Sequence, residues 1–204
     1  MENTIVTSQK ELNELPDAWD KPIVIDSTSD EVISIYDANK YHTAIRVVGK
    51  SIVEIYGNVV IKAENNSVIR AYDKSKVDGH HSSKIFAYED SSITGHDKCE
   101  INAFGNCQIE LYDRSIAQAF EKCYIIAHDM CDVHAHEECY VTGYDLTIIN
   151  AFENCTISAY NSAIVFGSNY CKISAYDTSI IHVKDRSCEV SGYNKTRIFL
   201  EFHD

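Results

Sequence analysis

Three side chains in the middle of the chain alternate in a way that could bind a metal ion. Asp132, His134 and His136 stand at every second position, and in an extended strand such residues point to the same side. Aspartate and histidine are zinc ligands, so an outward Asp-x-His-x-His could hold zinc. However, position 136 lies sixteen residues from both Phe120 and Phe152. The sequence therefore favours a histidine that replaces one ring of an aromatic column.

Eight cysteines would indicate disulfide bonds in an exported protein. Five of them are spaced sixteen residues apart, and Cys188 continues the series after one additional residue. These five are Cys107, Cys123, Cys139, Cys155 and Cys171. Serine, threonine and alanine occupy the equivalent positions elsewhere. The pattern therefore predicts reduced thiols that serve as small core residues.

The net charge of −13 weighs against direct binding of nucleic acids or anionic membranes. Acidic residues recur at multiples of sixteen and would form a column along each edge of a stacked structure: Asp97, Asp113, Asp129, Asp145 and Asp177 on one edge, and Glu121, Glu137 and Glu153 on the other. Three interpretations are open, namely hydrogen bonds from corner amides, calcium between the coils, and imitation of a phosphate backbone. The first is favoured over calcium, because the Gly-Gly-x-Gly-x-Asp motif of calcium-binding β-rolls is absent.

An eight-residue repeat positions all of these side chains. From residue 47 to residue 182 the chain follows the pattern small, aromatic, acidic, x, Ser/Cys, x, Ile/Val, x, as in 71–78 and 175–182. A fixed period of this kind predicts a solenoid. Small or apolar residues alternate with larger or polar ones inside each repeat, which indicates a strand followed by a two-residue corner.

The cysteine spacing favours two strands and about sixteen residues per coil. A triangular coil of three strands needs a period of twenty-four, which would match Cys107, Cys131 and Cys155 and then fail at Ser179. We therefore expect an all-β protein, a flattened parallel β-helix or β-solenoid, with the triangular coil as the alternative.

The first twenty residues differ from the repeat. Ser8 followed by Glu11 is typical of a helix N-terminus, so residues 1–20 are expected to form an N-terminal cap with a short helix. Residues 21–204 are expected to form the solenoid. We expect the apolar last rung, 198–202, to be covered by a second copy of the chain or by a partner protein.

The sequence contains no motif for catalysis. No catalytic triad, nucleophile elbow, phosphate loop or paired-carboxylate pocket emerges from a repeat that points its side chains outward. We expect no enzymatic activity and no cofactor. The start lacks the features of a secretory signal, and no stretch resembles a membrane span, so we expect a cytoplasmic protein of a bacterium or an infected host cell.

The two predicted outer faces differ in chemistry. One carries serine, threonine and a tyrosine column. The other, which we call the Phe/Ile face, carries Phe86, Phe104, Ile116, Phe120, Ile148, Phe152, Ile164, Phe166, Ile180 and Phe199. An apolar face of this size normally marks an interface, and a homodimer is the commonest arrangement. The alternative is that each ring covers the ring of the preceding coil and shields it.

The repeat also resembles a known family. Ala-Tyr-Asp-Lys-Ser at 71–75, Ala-Phe-Gly-Asn-Cys at 103–107 and Ala-Tyr-Asp-Thr-Ser at 175–179 resemble the Ala-Tyr-Asp/Gly-x-Ser-x-Val octapeptide repeats of β-solenoid proteins of bacteria and their phages. The similarity covers most of the chain from about residue 31, with cysteine replacing the usual serine. It implies a β-solenoid binding or structural module and is silent about activity.

Three functions fit these observations. The favoured one is a non-catalytic interaction or structural module that dimerises, or docks a partner protein, through the Phe/Ile face. The second is an acidic inhibitor that mimics nucleic acid and occupies a DNA- or RNA-binding protein. The third is a binder of ice or glycans that uses the flat Thr/Tyr face, although a regular Thr-x-Thr ladder is missing.

Overall fold

The computed structural model describes residues 3–36, 40–41 and 43–201, which form two parallel sheets and one short helix. The 12-stranded sheet contains, in order, β1 (Thr4–Val6), β2 (Ile23–Ile25), β4 (Ile45–Val47), β6 (Val60–Ala63), β8 (Lys76–Gly79), β10 (Ser92–Gly95), β12 (Gln108–Leu111), β14 (Tyr124–Ala127), β16 (Tyr140–Gly143), β18 (Thr156–Ala159), β20 (Lys172–Ala175) and β22 (Glu189–Gly192). The 11-stranded sheet contains β3 (Val32–Ile35), β5 (Ile52–Ile55), β7 (Val68–Ala71), β9 (Lys84–Glu89), β11 (Glu100–Gly105), β13 (Ile116–Ala119), β15 (Asp132–Ala135), β17 (Ile148–Ala151), β19 (Ile164–Gly167), β21 (Ile180–Val183) and β23 (Arg197–Leu200).

The chain alternates between the two sheets, and from β4 to β21 each coil advances by sixteen residues. The first coils are longer, and the last one has one additional residue. Ile125 of β14 pairs with Ile109 and Val141, one coil before and one coil after it. The cysteine series stacks in the same way, because the amide next to Cys123 donates to the carbonyl of Cys107 at 2.9 Å. The expected β-solenoid with two strands per coil is confirmed, and the triangular alternative is wrong.

The core is narrow because an isoleucine of one sheet packs directly against a very small residue of the other. A Cβ added to Gly167 would lie 2.4 Å from Cδ1 of Ile173, and one added to Gly143 would lie 2.6 Å from Cδ1 of Ile149. In other coils an alanine occupies the position of these glycines. The alternation of large and small inward residues therefore sets the spacing between the sheets.

Each corner turns through a residue in the left-handed region. The first corner residue is an Asp, Glu, Asn, His or Gly, with φ between 57° and 70° at most corners. Asparagine and aspartate tolerate this conformation better than other residues with a side chain, and glycine tolerates it best. This requirement explains why the third position of the repeat is so restricted.

The N-terminal segment forms both a strand and a helix. Helix α1 spans Gln9–Glu14, and the side chain of Ser8 accepts a hydrogen bond from the amide of Glu11 at 3.3 Å. Leu12 points into the core and is fully buried. Strand β1 precedes α1 and pairs with β2, so the segment expected to serve only as a cap already contributes one strand to the 12-stranded sheet. In the described ranges α1 is the single helix, and it is too short to cross a membrane.

The cysteines are reduced and buried, apart from Cys188, which is partly exposed. The thiol of Cys155 donates to the carbonyl of Phe152 at 3.0 Å. The hydroxyl of Ser75 makes the equivalent bond to Tyr72 at 2.7 Å. Burial raises the pKa of Cys131 to about 12, which keeps that thiol protonated and unreactive. The thiols thus have the same structural role as the serine hydroxyl groups of this position.

We expect Cys155→Ser to change the free energy of unfolding by less than about 1 kcal/mol, because serine can make the same bond to the carbonyl of Phe152. Cys155→Leu should cost about 1–3 kcal/mol, since the extra methyl groups overpack a site between two neighbouring coils. Urea unfolding followed by circular dichroism measures both values. A serine variant as unstable as the leucine variant would contradict this account of the column.

Candidate interaction surfaces

The Phe/Ile face lies on the outer side of the 11-stranded sheet, where its residues form three parallel columns. The isoleucine column runs Ile116, Asp132, Ile148, Ile164 and Ile180. The middle column runs Phe86, Asn102, Gln118, His134, Asn150, Phe166, His182 and Phe199. The corner column includes Phe104, Phe120, His136 and Phe152. Polar residues fill the middle column between Phe86 and Phe166, and His182 separates Phe166 from Phe199. The apolar surface of this face is therefore interrupted.

The rings of the corner column shield one another. The centroid of Phe120 lies 5.1 Å from that of Phe104 and 4.8 Å from that of His136, and all three rings are nearly parallel. The shielding alternative therefore describes these rings, and the expected replacement of a phenylalanine by His136 is confirmed. Substantial exposure remains at Ile116, Ile148 and Phe199, whose relative exposures are 42%, 39% and 44%.

The last coil leaves core positions open. Ile198 and Leu200 lie in register with Ile181 and Val183 of the preceding coil. Those two partners are fully buried, whereas Ile198 is 41% exposed and Leu200 is 60% exposed. Among the described residues nothing packs on the outer edges of β22 and β23. Inward side chains and the backbone groups of two strand edges are therefore accessible together, which is characteristic of an unpaired sheet edge.

The aspartate column is held by the backbone of the preceding coil. The carboxylate of Asp113 accepts from the amide of Asp97 at 3.0 Å, and that of Asp129 accepts from the amide of Asp113 at the same distance. The amide of His81 donates to Asp97 at 2.9 Å and lowers the pKa of its carboxyl group. The favoured hydrogen-bond interpretation is confirmed at these positions.

The column continues with small variations. Asp177 accepts from the amide of Asn161, whereas Asp145 accepts from the side chain of Asn161.

On the opposite edge the glutamate column differs. Within the described ranges, no hydrogen bond or ion pair holds the carboxylates of Glu121, Glu137 and Glu153. These three side chains remain exposed.

The opposite face carries a second stack of rings. Histidines replace some of its tyrosines, since His96 stacks on Tyr112 and His128 stacks on Tyr144, both at 5.0 Å. Tyr124, which was not among the predicted surface residues, begins β14 on this face, stacks on Tyr140 at 4.9 Å and is 51% exposed. Its position lies outside the recurrent tyrosine column. Its outward direction follows from the alternation of the strand, in which every second residue points to the same side.

The three alternating residues that could have held zinc, Asp132, His134 and His136, do not bring their donor atoms together. The Nε2 atom of His134 lies 3.4 Å from Oδ1 of Asp132, but His136 belongs to the corner column. Among the described residues, a different set of three metal-ligating side chains brings its donor atoms within 4.8 Å, namely Asp78, His80 and His96. An Asp-x-His pair followed by a second histidine sixteen residues later is the signal that could have located this set. The third ligand position becomes visible only once the coil length is known.

Comparisons with known proteins add no family to this description. No family model, no curated protein and no solved structure matches the chain.

Proposed function

We propose that the protein is a non-catalytic interaction module that self-associates end to end through its C-terminal coil. The observation that carries the proposal is the exposure of Ile198 and Leu200, two core residues whose counterparts one coil earlier are fully buried. Full burial of an exposed large aliphatic side chain is worth roughly 1.5–3 kcal/mol. Ile198 and Leu200 are 41% and 60% exposed, so the contact would gain about half of that value from each. Pairing the open strand edges would also satisfy their amides and carbonyls.

A two-fold arrangement suits the residues of β23. If two copies of β23 pair in antiparallel fashion about Phe199, Ile198 of one copy lies opposite Leu200 of the other, and both point into the joined core. The same pairing sets Arg197 of one copy opposite Glu201 of the other, which is an attractive charge pair. The strand is thus complementary to itself in size, polarity and charge. This self-complementarity favours a second copy over an unrelated partner.

We expect Leu200→Asp to weaken dimerisation at least about a hundredfold, because a carboxylate would be buried without a partner at the contact. Light scattering over a range of concentrations should find a dimer for the unmodified chain and a monomer for the variant. Since Leu200 is exposed in the single chain, circular dichroism should show the fold unchanged. Ile116→Asp is the matched control, because Ile116 has a similar exposure on the same sheet but lies five coils away.

A charge exchange sharpens the test of the two-fold arrangement. Arg197→Glu should weaken the dimer, since the substituted side chain of each copy would then repel Glu201 of the other copy across the contact. Arg197→Glu combined with Glu201→Arg should restore it. A chain that stays monomeric at every concentration would remove the proposal. Dissociation by Ile116→Asp with a persistent dimer for Leu200→Asp would move the contact to the side of the Phe/Ile face.

A second candidate rests on the glutamate column. Glu121, Glu137 and Glu153 occupy successive coils without a partner among the described residues, and adjacent charges about 4.8 Å apart repel by roughly 0.9 kcal/mol even in bulk water. A basic protein surface would relieve this repulsion, as in the inhibitor that imitates nucleic acid. Capture of a basic DNA-binding protein should then weaken with salt and with Glu137→Gln. Binding that is unaffected by salt would contradict this candidate.

A further inference from the structure

One group of metal-ligating side chains lies on the outer side of the 12-stranded sheet, away from the C-terminal coil. Asp78 belongs to β8, His80 follows the same strand, and His96 follows the neighbouring strand β10. The Oδ1 atom of Asp78 lies 3.0 Å from Nε2 of His80 and 3.6 Å from Nε2 of His96. Two strands thus direct three donor atoms toward one point on the surface.

Two of these donor atoms lack a hydrogen bond. Oδ1 of Asp78 and Nε2 of His80 are inaccessible to solvent, and they contact each other at 3.0 Å without forming a hydrogen bond. Among the described residues neither atom has a hydrogen-bond partner. Buried polar atoms are nearly always satisfied in proteins, and an exception calls for a ligand, an ion or a water molecule as the missing partner. The two atoms face each other at a distance at which a shared cation would satisfy both.

We propose that Asp78, His80 and His96 form a binding site for a divalent transition metal, with Zn²⁺ as the best match. Two imidazoles and one carboxylate suit zinc better than calcium or magnesium, which prefer oxygen ligands. Tetrahedral zinc with bonds of about 2.0–2.1 Å separates its ligand atoms by about 3.3 Å. The observed separations of 3.0 Å and 3.6 Å bracket that value. Three protein ligands leave one position for water or an external ligand.

Metal binding must compete with ring stacking. The rings of His80 and His96 lie 4.7 Å apart and are inclined by 13°, so their nitrogen lone pairs lie in nearly parallel planes. A bound ion requires at least one ring to tilt until both lone pairs converge. The side chains are 22% and 31% exposed, which leaves an open side for this rotation. Loading the site should therefore change the environment of both rings.

The charges next to the site should limit its affinity for a metal ion. Lys62 lies beside Asp78 in the register of the sheet, and its ammonium group opposes a cation. The ammonium group is held 3.6 Å from a carboxylate oxygen of Glu64, which offsets part of its charge. On the other side of Asp78 lies the uncharged Thr94. We accordingly expect affinity in the micromolar range.

Calorimetric titration of the full chain with Zn²⁺ tests the site. One ion should bind per chain. His96→Phe and Asp78→Asn should each weaken binding at least about tenfold, because even the loss of a group that only orients a ligand costs about that much. Phenylalanine suits the stacked column, because Phe104 and Phe120 stack in the equivalent column of the other sheet. His128→Phe is the matched control, since it changes a ring of the same column outside the group. The affinity of the His128→Phe variant for Zn²⁺ should equal that of the unmodified chain.

Titration with Co²⁺ separates this site from the thiols. Ligation by nitrogen and oxygen should give visible absorption without the thiolate-to-cobalt charge-transfer band that cysteine ligands produce. Nuclear magnetic resonance should show shifts at His80 and His96 and none at His134. Absence of zinc binding at millimolar concentration, equal binding by His96→Phe, or a thiolate band would each overturn the proposal.

Discussion

Ile149→Ala is expected to destabilise the protein by about 3–5 kcal/mol, the upper part of the range for large-to-small core substitutions. Ile149 is fully buried in β17, and its Cδ1 atom packs against Gly143 of the opposite sheet. Because glycine has no side chain that could move into the space, the cavity left by the substitution would stay open. The penalty for the cavity is then added to the lost transfer free energy.

Ile148→Ala provides the matched control for this prediction. The two isoleucines are consecutive in β17, but Ile148 points outward and is 39% exposed. We expect its loss to cost less than about 1 kcal/mol. Equilibrium unfolding in urea, followed by circular dichroism, compares the two variants. Similar costs for both would contradict the assignment of inward and outward positions.

The contrast between Ile148 and Ile149 follows from the repeat, and this part of the fold was predictable. Alternation fixes which side of a strand a residue occupies, and the recurrence of cysteine at sixteen residues fixes the coil length. Together they predict that position 141 pairs with position 125, which is the observed register. Long periodic segments are predictable because every coil repeats the same local choice.

The lateral surfaces were less predictable because outward direction alone does not determine exposure. Phe120 points outward, yet its ring is covered on both sides by Phe104 and His136. The sequence shows which rings are one coil apart, but whether they stack depends on side-chain rotation. By contrast, the sequence already indicated that the apolar rung 198–202 would need a cover, and among the described strands none follows β23.

The histidine group was missed for a related reason. A search along one strand finds Asp132, His134 and His136, which alternate on one side. The three donor atoms that meet in space come from two strands, with Asp78 and His80 on one and His96 on the next. A ligand set that spans two coils is visible in the sequence only when positions sixteen residues apart are compared. In a solenoid, the residues that meet in space are therefore often not the ones that lie close together in the sequence.

Gly105→Ala is the second substitution from which we expect a large effect, a loss of about 2–4 kcal/mol in the free energy of unfolding. Gly105 has a φ of 99°, a value that L side chains rarely adopt. A Cβ atom at this position would lie 2.9 Å from the backbone nitrogen of Glu89 and 3.0 Å from its Cα and carbonyl oxygen. Backbone atoms of the neighbouring coil cannot rotate away as a flexible side chain could.

Gly57→Ala is the matched control, because Gly57 occupies the same corner column with a φ of 70° and has no atom within 4 Å of the added Cβ. Its cost should stay near the 1–2 kcal/mol of an ordinary left-handed residue. Neighbouring corners carry Glu89 and Glu121 at φ values of 60° and 67°. The repeat alone would therefore predict that glutamate is also tolerated at position 105. We expect Gly105→Glu to be at least as harmful as Gly105→Ala, since it introduces the same Cβ. Thermal and urea unfolding of the three variants measures these effects, and equal stability of Gly105→Ala and Gly57→Ala would show that the two coils can separate at this corner without cost.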